Sequence, residues 1–285
     1  MEEYSDDEKA RILFRHLYSS NLEYKYVDYL YSKYSWIVHH WNYNPRVLAL
    51  FLEKEPEEDC SPKKYYDDLC DYLDNPGSFW KSIFVELSQE AQIVAILLLI
   101  SSTPMCFKDM QSCYRKYIRN CTDQRTVKNL GECIAELDET MIKSFRDEEY
   151  DEIMLKFSMP AVQDFLYEYI QENSEQYIPL ILKCCAFYNQ LQFLLEFLSI
   201  YCSKRVVELI TRECILHYHS YPDSFTEWDG SWNWDSAILG QHDGLEHGRL
   251  NRFFHLLRCC EPERHPELYI FLEKEITDYC STMGS

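Results

Sequence analysis

The sequence predicts a mainly α-helical protein, and three properties of the chain support this prediction. Glycine is rare, at 7 of 285 residues, whereas folds rich in turns use it often. Leu, Ile, Glu and Lys are abundant, which favours helices over a sandwich or an α/β sheet. Hydrophobic residues make up 46% of the chain and recur mostly at helical spacing. A chain of this size can bury a substantial core in two or three subdomains.

The first 60 residues are predicted to form one helical subdomain. Ser5 with Glu8 three residues later is a capping box, which marks the start of a helix. Pro45 suits the first turn of a later helix, because a residue there needs no backbone N–H donor. An acidic loop over 55–62 ends the subdomain. The predicted helices cover 6–18, 24–34 and 45–53.

Residues 61–160 are predicted to form a winged-helix-like domain. The segment 74–77, Asp-Asn-Pro-Gly, is typical of a turn. The helix over 88–101 is apolar on nearly every side and is expected to be buried. Residues 141–145 and 152–157 alternate apolar and polar side chains across a charged turn, which predicts a small β-hairpin. The predicted helices cover 63–73, 88–101, 107–119 and 126–137.

Residues 161–285 are predicted to form a helical bundle or a solenoid-like array, because the connections between their helices are short. A loop over 222–248 interrupts the pattern and contains Trp228, Trp232 and Trp234. Three tryptophans in one loop are good anchors for a protein partner. The alternative is that this loop folds back onto its own bundle. The predicted helices cover 161–172, 177–187, 190–201, 204–218, 249–259 and 266–280.

Charge and composition restrict the classes of partner. A formal charge of −20 repels nucleic acid and anionic membranes. The longest apolar run, Ile93–Ile100, is too short to cross a bilayer. The 13 cysteines are expected to be reduced and mostly buried, because the chain is too large to need disulfide bonds. Together these features predict a cytoplasmic protein.

Sequence motifs of catalysis are missing. The chain has no phosphate-binding GxxxxGK[ST] loop and no GxGxxG, GxSxG or HExxH motif, which predicts that it is not an enzyme by itself. Four scattered histidines, His217, His219, His242 and His247, could in principle gather round a metal, but they lack the Cys or carboxylate framework of a metal site. We therefore expect no metal and no cofactor in this chain alone.

Three segments resemble one known family. EKARILFRHL at 8–17 and IVHHWNYNPR at 37–46 resemble the helical lid of STAND NTPases, particularly a bacterial group of the novel STAND type. LKFSMPAVQDFL at 155–166 is similar to the motif F-x-NPS-v-x-DFL that ends the winged helix of this group, with Met159 in place of the usual Asn and Ala161 in place of Ser. The resemblance covers about residues 5–200.

The resemblance implies a regulatory part of a signalling switch. In such proteins a P-loop domain precedes the lid, and the winged helix couples nucleotide state to domain opening and oligomerisation. This chain begins almost where that domain would end, so the resemblance implies a C-terminal piece. Residues 1–60 would be the lid, 61–160 the winged helix and 161–285 the helical arm. ATP or ADP would be bound only in the parent protein.

The resemblance also implies site residues and partners. Pro45 would lie near the adenine and Arg46 near the phosphates, at a helix N-terminus that suits anions. The alternative is that Pro45 only begins the helix and Arg46 pairs with a nearby acid. The partners would be an N-terminal NTPase or effector portion and a trigger protein, in bacterial antiviral (anti-phage) defence.

Two other functions fit the sequence. One is a free-standing helical adaptor that binds a protein through its tryptophan loop. The other is a winged-helix DNA-binding regulator that reads DNA through the helix near 126–137. The second requires a positively charged face in an acidic chain.

Overall fold

A computed structural model describes residues 5–41, 43–101, 103–121, 127–138, 140–148, 151–222, 226–227, 238–239 and 245–283. The protein is mainly helical, as predicted, and has a small three-stranded antiparallel sheet. The chain divides into two compact units, Met1–Glu86 and Leu87–Ser285. The division at residues 60 and 160 stays a prediction. Among the described helices, none has the length and apolar character needed to cross a membrane.

The first unit is built from helices. Ser5 and Glu8 form the predicted capping box, and Pro45 begins the third predicted helix. The predicted helix over 24–34 is divided, because the backbone of Lys33 leaves the helical conformation, with φ −105° and ψ 7°. Its helices are α1 (Asp6–Ser19), α2 (Tyr24–Ser32), α3 (Tyr34–Val38), α4 (Pro45–Glu53), α5 (Pro62–Asp74) and α6 (Pro76–Glu86).

Helix α6 was not predicted, because Asn-Pro-Gly reads as a turn. Pro76 instead occupies the first position of the helix, where its missing N–H is harmless. Phe79, Trp80 and Phe84 on α6 are fully buried. Packing of these large side chains stabilises the helix, which the local sequence alone does not specify.

The second unit begins with three helices and a three-stranded sheet. Its first elements are α7 (Gln89–Leu99), β1 (Met105–Cys106), α8 (Phe107–Cys121), α9 (Leu130–Leu137), β2 (Ile142–Asp147) and β3 (Glu152–Phe157). The predicted hairpin is confirmed: β2 pairs with β3 in the register Ile142↔Phe157. The unpredicted strand β1 pairs with the other edge of β3, which gives the order β1-β3-β2. As predicted, α7 is buried on nearly all sides.

The remaining elements are mostly helices. They are α10 (Pro160–Glu172), α11 (Ser174–Leu182), α12 (Tyr188–Phe193), α13 (Lys204–His217), β4 (Thr226–Glu227), β5 (Ile238–Leu239), α14 (Leu245–Cys259) and α15 (Pro266–Met283). The helix predicted over 190–201 is not continuous. It passes from α12 into a π-helical turn, Leu194–Leu198, and a 3-10 turn, Ser199–Tyr201. A single π turn inside a helix often marks a functional or strained position.

Candidate functional site

The N-terminus of α4 carries the site residues that the sequence predicted. Asn44 caps the helix, because its Oδ1 accepts hydrogen bonds from the backbone N–H groups of Arg46 at 2.9 Å and Val47 at 3.2 Å. Pro45 fills the first helical position and has no N–H to donate. Leu48 donates its N–H to the carbonyl of Asn44. The backbone donors of the first turn are therefore already used within the chain.

The segment that leads into α4 is held on α1. The Tyr43 hydroxyl donates to the carbonyl of Lys9 at 2.9 Å, and the Tyr43 N–H donates to the carbonyl of His40 at 3.0 Å. His39 Nε2 lies 3.3 Å from a carboxylate oxygen of Asp6. These contacts fix the position of Pro45 and Arg46 relative to the helices of this unit.

The side chain of Arg46 is half-buried, and its buried Nε atom has no hydrogen-bond partner among the residues that the structure describes. Within the part of the chain that the structure describes, no carboxylate lies within ion-pair distance of this guanidinium. The buried N–H groups of an arginine normally have hydrogen-bond acceptors, because an unpaired donor removed from water costs about 1–3 kcal/mol. The expectation that Arg46 pairs with a nearby acid is therefore not met among these residues. Since the backbone donors are taken, the guanidinium is the group available to an anion.

The tryptophan loop was the second predicted site. Trp228, Trp232 and Trp234 lie outside the described residues. On either side of them in sequence, β4 pairs with β5 in antiparallel register, Thr226 opposite Leu239.

A cluster of three different ligand types joins the π-helical turn to α14. His255 Nε2 lies 2.6 Å from Glu196 Oε2, and His255 Nδ1 lies 3.8 Å from Cys259 Sγ. Arg258 donates to the other oxygen of Glu196 at 2.7 Å. One ligand atom from each of Glu196, His255 and Cys259 lies within 4.8 Å of the others. Sequence reasoning missed this cluster, because its two halves are about sixty residues apart.

The charges of this cluster favour a structural hydrogen-bonded contact between the π-helical turn and α14 over a reactive thiol or a metal site. Burial and the nearby carboxylate of Glu196 raise the pKa of the Cys259 thiol to about 11, so the thiol is protonated at neutral pH. Burial alone would raise the pKa of Glu196, but the hydrogen bond from His255 and the charges of His255 and Arg258 outweigh it and lower the pKa. A metal ion here would have to displace the thiol proton and compete with Arg258.

The histidines considered from sequence take separate partners. His217 lies 3.2 Å from Glu213, and His219 lies 3.1 Å from Glu275. The side chains of His242 and His247 lie outside the described part of the chain. The described residues thus do not bring these four histidines to one metal site.

Helix α9 is the element that would read DNA in a winged-helix regulator. It carries Glu132 and Glu136 and no basic residue. Glu136 accepts hydrogen bonds from the N–H and hydroxyl of Ser88, each at 2.7 Å, and from Lys128 at 2.6 Å. Glu132 belongs to the capping box with Asn129. This helix therefore presents carboxylates where a DNA-reading helix needs lysine and arginine.

Comparison with known proteins finds no match: no family model fits the chain, and neither a curated protein nor a solved structure is significantly similar to it.

Proposed function

We propose that this chain is the lid, winged-helix and helical-arm portion of a STAND-type NTPase, and that it regulates a signalling switch without turning over ATP itself. The trigger-sensing role in antiviral defence belongs to the same proposal. The observation that carries it is the element order from α7 to β3. A helix, a short strand, two helices and a hairpin, with the short strand on the outer edge of the hairpin, is the arrangement expected of a winged helix.

The geometry of Arg46 supports the nucleotide part of the proposal. A guanidinium that has a buried donor and no acid beside it among the described residues is suited to a phosphate, which it can bind through two parallel hydrogen bonds. Pro45 and the Asn44 cap hold the backbone that carries Arg46. In this proposal the phosphate comes from ATP or ADP bound to a P-loop domain, and this chain supplies only the arginine.

The first experiment tests the regulatory assignment. The protein is isolated from its native host through a C-terminal tag, and every stoichiometric polypeptide is sequenced. We expect a P-loop sequence in the same or in an associated polypeptide, and no ATP hydrolysis by residues 1–285 alone. Robust hydrolysis by this chain alone, or a stoichiometric preparation without any P-loop, would overturn the proposal.

The second experiment tests Arg46 in that assembly. Arg46→Ala should weaken ATP binding by about tenfold or more, because a charge-assisted bidentate contact to phosphate is lost. Arg15→Ala is the matched control, since Arg15 is exposed on α1. Equal affinities for the Arg46→Ala and wild-type assemblies would remove Arg46 from the nucleotide site.

A second candidate is a free-standing adaptor that binds a protein through the tryptophan loop. The exposed indole rings of the first unit favour a protein-binding role in general, because large aromatic side chains anchor interfaces. This candidate predicts that Trp232→Ala weakens capture of the partner while the melting temperature is retained, and that no P-loop chain accompanies the protein. DNA binding is the weakest of the three functions, because α9 is acidic.

A further inference from the structure

Two indole rings on the surface of the first unit are fixed in place. Trp36 is 45% exposed and Trp41 is 78% exposed. The Trp41 Nε1–H donates to Asp74 Oδ1 at 3.0 Å, and the buried His40 ring lies 3.2 Å from the same oxygen. The centre of the His40 ring also lies 4.7 Å from the centre of the Trp36 ring and 6.0 Å from the centre of the Trp41 ring. Exposed rings that are already ordered lose little entropy when they bind a partner.

A third ring packs on Trp36, and Asp74, which contacts Trp41, belongs to a row of three carboxylates on α5. The Tyr66 ring packs edge-on against Trp36, with the ring centres 5.7 Å apart. Tyr66 precedes Asp67 on α5, and Asp67, Asp71 and Asp74 follow one another at helical spacing on an exposed stripe. We call these six residues the aromatic–acidic surface: Trp36, Trp41, Tyr66, Asp67, Asp71 and Asp74.

The negative charges of Asp67, Asp71 and Asp74 all act on the same neighbouring side chain, Cys70. Burial and the charges of Asp67, Asp74 and Asp71 together raise the pKa of the neighbouring Cys70 thiol to about 11. Among the described residues, Asp71 has no lysine or arginine within ion-pair distance, and Asp67 has only Lys63 at 3.9 Å. In the same part of the chain no lysine or arginine lies over either indole ring, whereas Lys33 lies over Tyr29 at 5.8 Å.

We propose that the aromatic–acidic surface binds an arginine side chain of a partner protein. The faces of indole rings attract cations, and guanidinium also stacks on them because it is planar. The carboxylates beside the rings accept its N–H groups in pairs. A lysine ammonium would gain the charge attraction but not the stacking or the paired hydrogen bonds. The proposal concerns other residues than Arg46 and does not depend on nucleotide binding.

The test uses the full chain and three short peptides that differ only at two positions, which hold arginine, lysine or citrulline. Citrulline has nearly the shape of arginine but no charge. Binding is measured by tryptophan fluorescence and by the indole N–H resonances of Trp36 and Trp41. We expect the arginine peptide to bind with a dissociation constant of about 0.1–1 mM, more tightly than the lysine peptide, and the citrulline peptide at least about fivefold more weakly.

Variants distinguish binding at the aromatic–acidic surface from non-specific attraction of a cationic peptide to an acidic protein. Trp41→Ala and Asp71→Lys should each weaken binding of the arginine peptide by about fivefold or more. The matched controls are Tyr18→Ala, which removes an aromatic side chain that is 84% exposed, and Glu58→Lys, which makes the same charge change elsewhere in the unit. Circular dichroism verifies that each variant is folded.

Three results would overturn the proposal. The first is binding of the citrulline peptide as tight as that of the arginine peptide. The second is equal weakening by Glu58→Lys and Asp71→Lys, which would show attraction by net charge alone. The third is tetramethylammonium binding as tight as that of the arginine peptide, which would assign the rings to small quaternary cations.

Discussion

Gln190 connects three parts of the second unit through one fully buried amide. Its Oε1 accepts the backbone N–H groups of Ala186 at 2.8 Å and Phe187 at 3.1 Å. Its Nε2 donates to the Ser101 hydroxyl at 2.9 Å, just beyond the end of α7, and contacts Cys113 Sγ on α8. A buried amide that satisfies two backbone donors is difficult to replace with an apolar side chain.

Gln190→Leu is therefore expected to destabilise the protein. The substitution keeps most of the volume but leaves two buried N–H groups and a hydroxyl without this partner, which should lower the free energy of unfolding by roughly 3 kcal/mol. Urea unfolding measures this change. Gln176→Leu on the exposed face of α11 is the control and should stay within about 0.5 kcal/mol of wild type. A Gln190→Leu variant as stable as the wild type would contradict the role given to this amide.

Arg46 differs from Gln190, because one of its buried polar atoms makes no hydrogen bond with the described residues. Its buried Nε has no hydrogen-bond partner among the described residues, and the backbone that carries it is capped by Asn44. Buried donors in natural proteins usually have a hydrogen-bond partner. This is why Arg46 carries the nucleotide part of the proposed function.

At the scale of elements, the π-helical turn over Leu194–Leu198 is tied to α14 by the Glu196 carboxylate. His255 and Arg258 each donate to one of its oxygens. These contacts lower the pKa of Glu196 even though burial opposes them. A carboxylate with a lowered pKa in the folded state stabilises the fold only while it is ionised.

This connection predicts how stability depends on acid. The contribution of Glu196 should be fully present above its ordinary pKa of 4.5 and should be lost as the pH falls through the lowered value. Glu196→Gln should therefore be less stable than wild type near neutral pH, and the difference should shrink below about pH 4. Chemical unfolding at a series of pH values measures it.

The control for this prediction is Glu208→Gln on α13. The Glu208 side chain is 63% exposed and lies 3.9 Å from Lys204, so its loss should change the free energy of unfolding by less than about 0.5 kcal/mol. A stability difference between wild type and Glu196→Gln that grows as the pH falls would have the wrong sign and would refute the assignment.

At the scale of the whole molecule, the formal charge of −20 dominates the electrostatics. Two of the described ion pairs, Lys63–Asp67 and Lys204–Glu208, are exposed and long, at 3.9 Å each, so each stabilises the fold only slightly. Repulsion among the excess carboxylates acts over the whole surface and is screened by salt.

Salt is therefore expected to stabilise this protein. Raising sodium chloride from about 10 mM to 200 mM should increase the melting temperature by about 2 °C or more, because screening weakens the net repulsion more than it weakens the attractive pairs. Differential scanning calorimetry measures this shift, and an equal osmolality of glycerol provides the comparison. A melting temperature that falls with salt would show that ion pairs outweigh the repulsion.

The sequence by itself determined the elements whose signals are local. The Ser5–Glu8 capping box and Pro45 mark helix starts within a few residues, and the alternation over 152–157 marks a strand, because caps and periodicity depend on near neighbours in the chain. Local signals gave a wrong prediction at α6. Asn-Pro-Gly is typical of a turn, but the segment is helical and buries Trp80.

Only the tertiary structure decided what the chemically interesting side chains meet. It places Trp41 against Asp74 across 33 residues and Glu196 against His255 across 59 residues. It also leaves Arg46 without an acid among the described residues, in a chain that is rich in acids. The reason is physical: which side chains lie together depends on the angles at which helices pack, and helical spacing along one segment does not specify those angles.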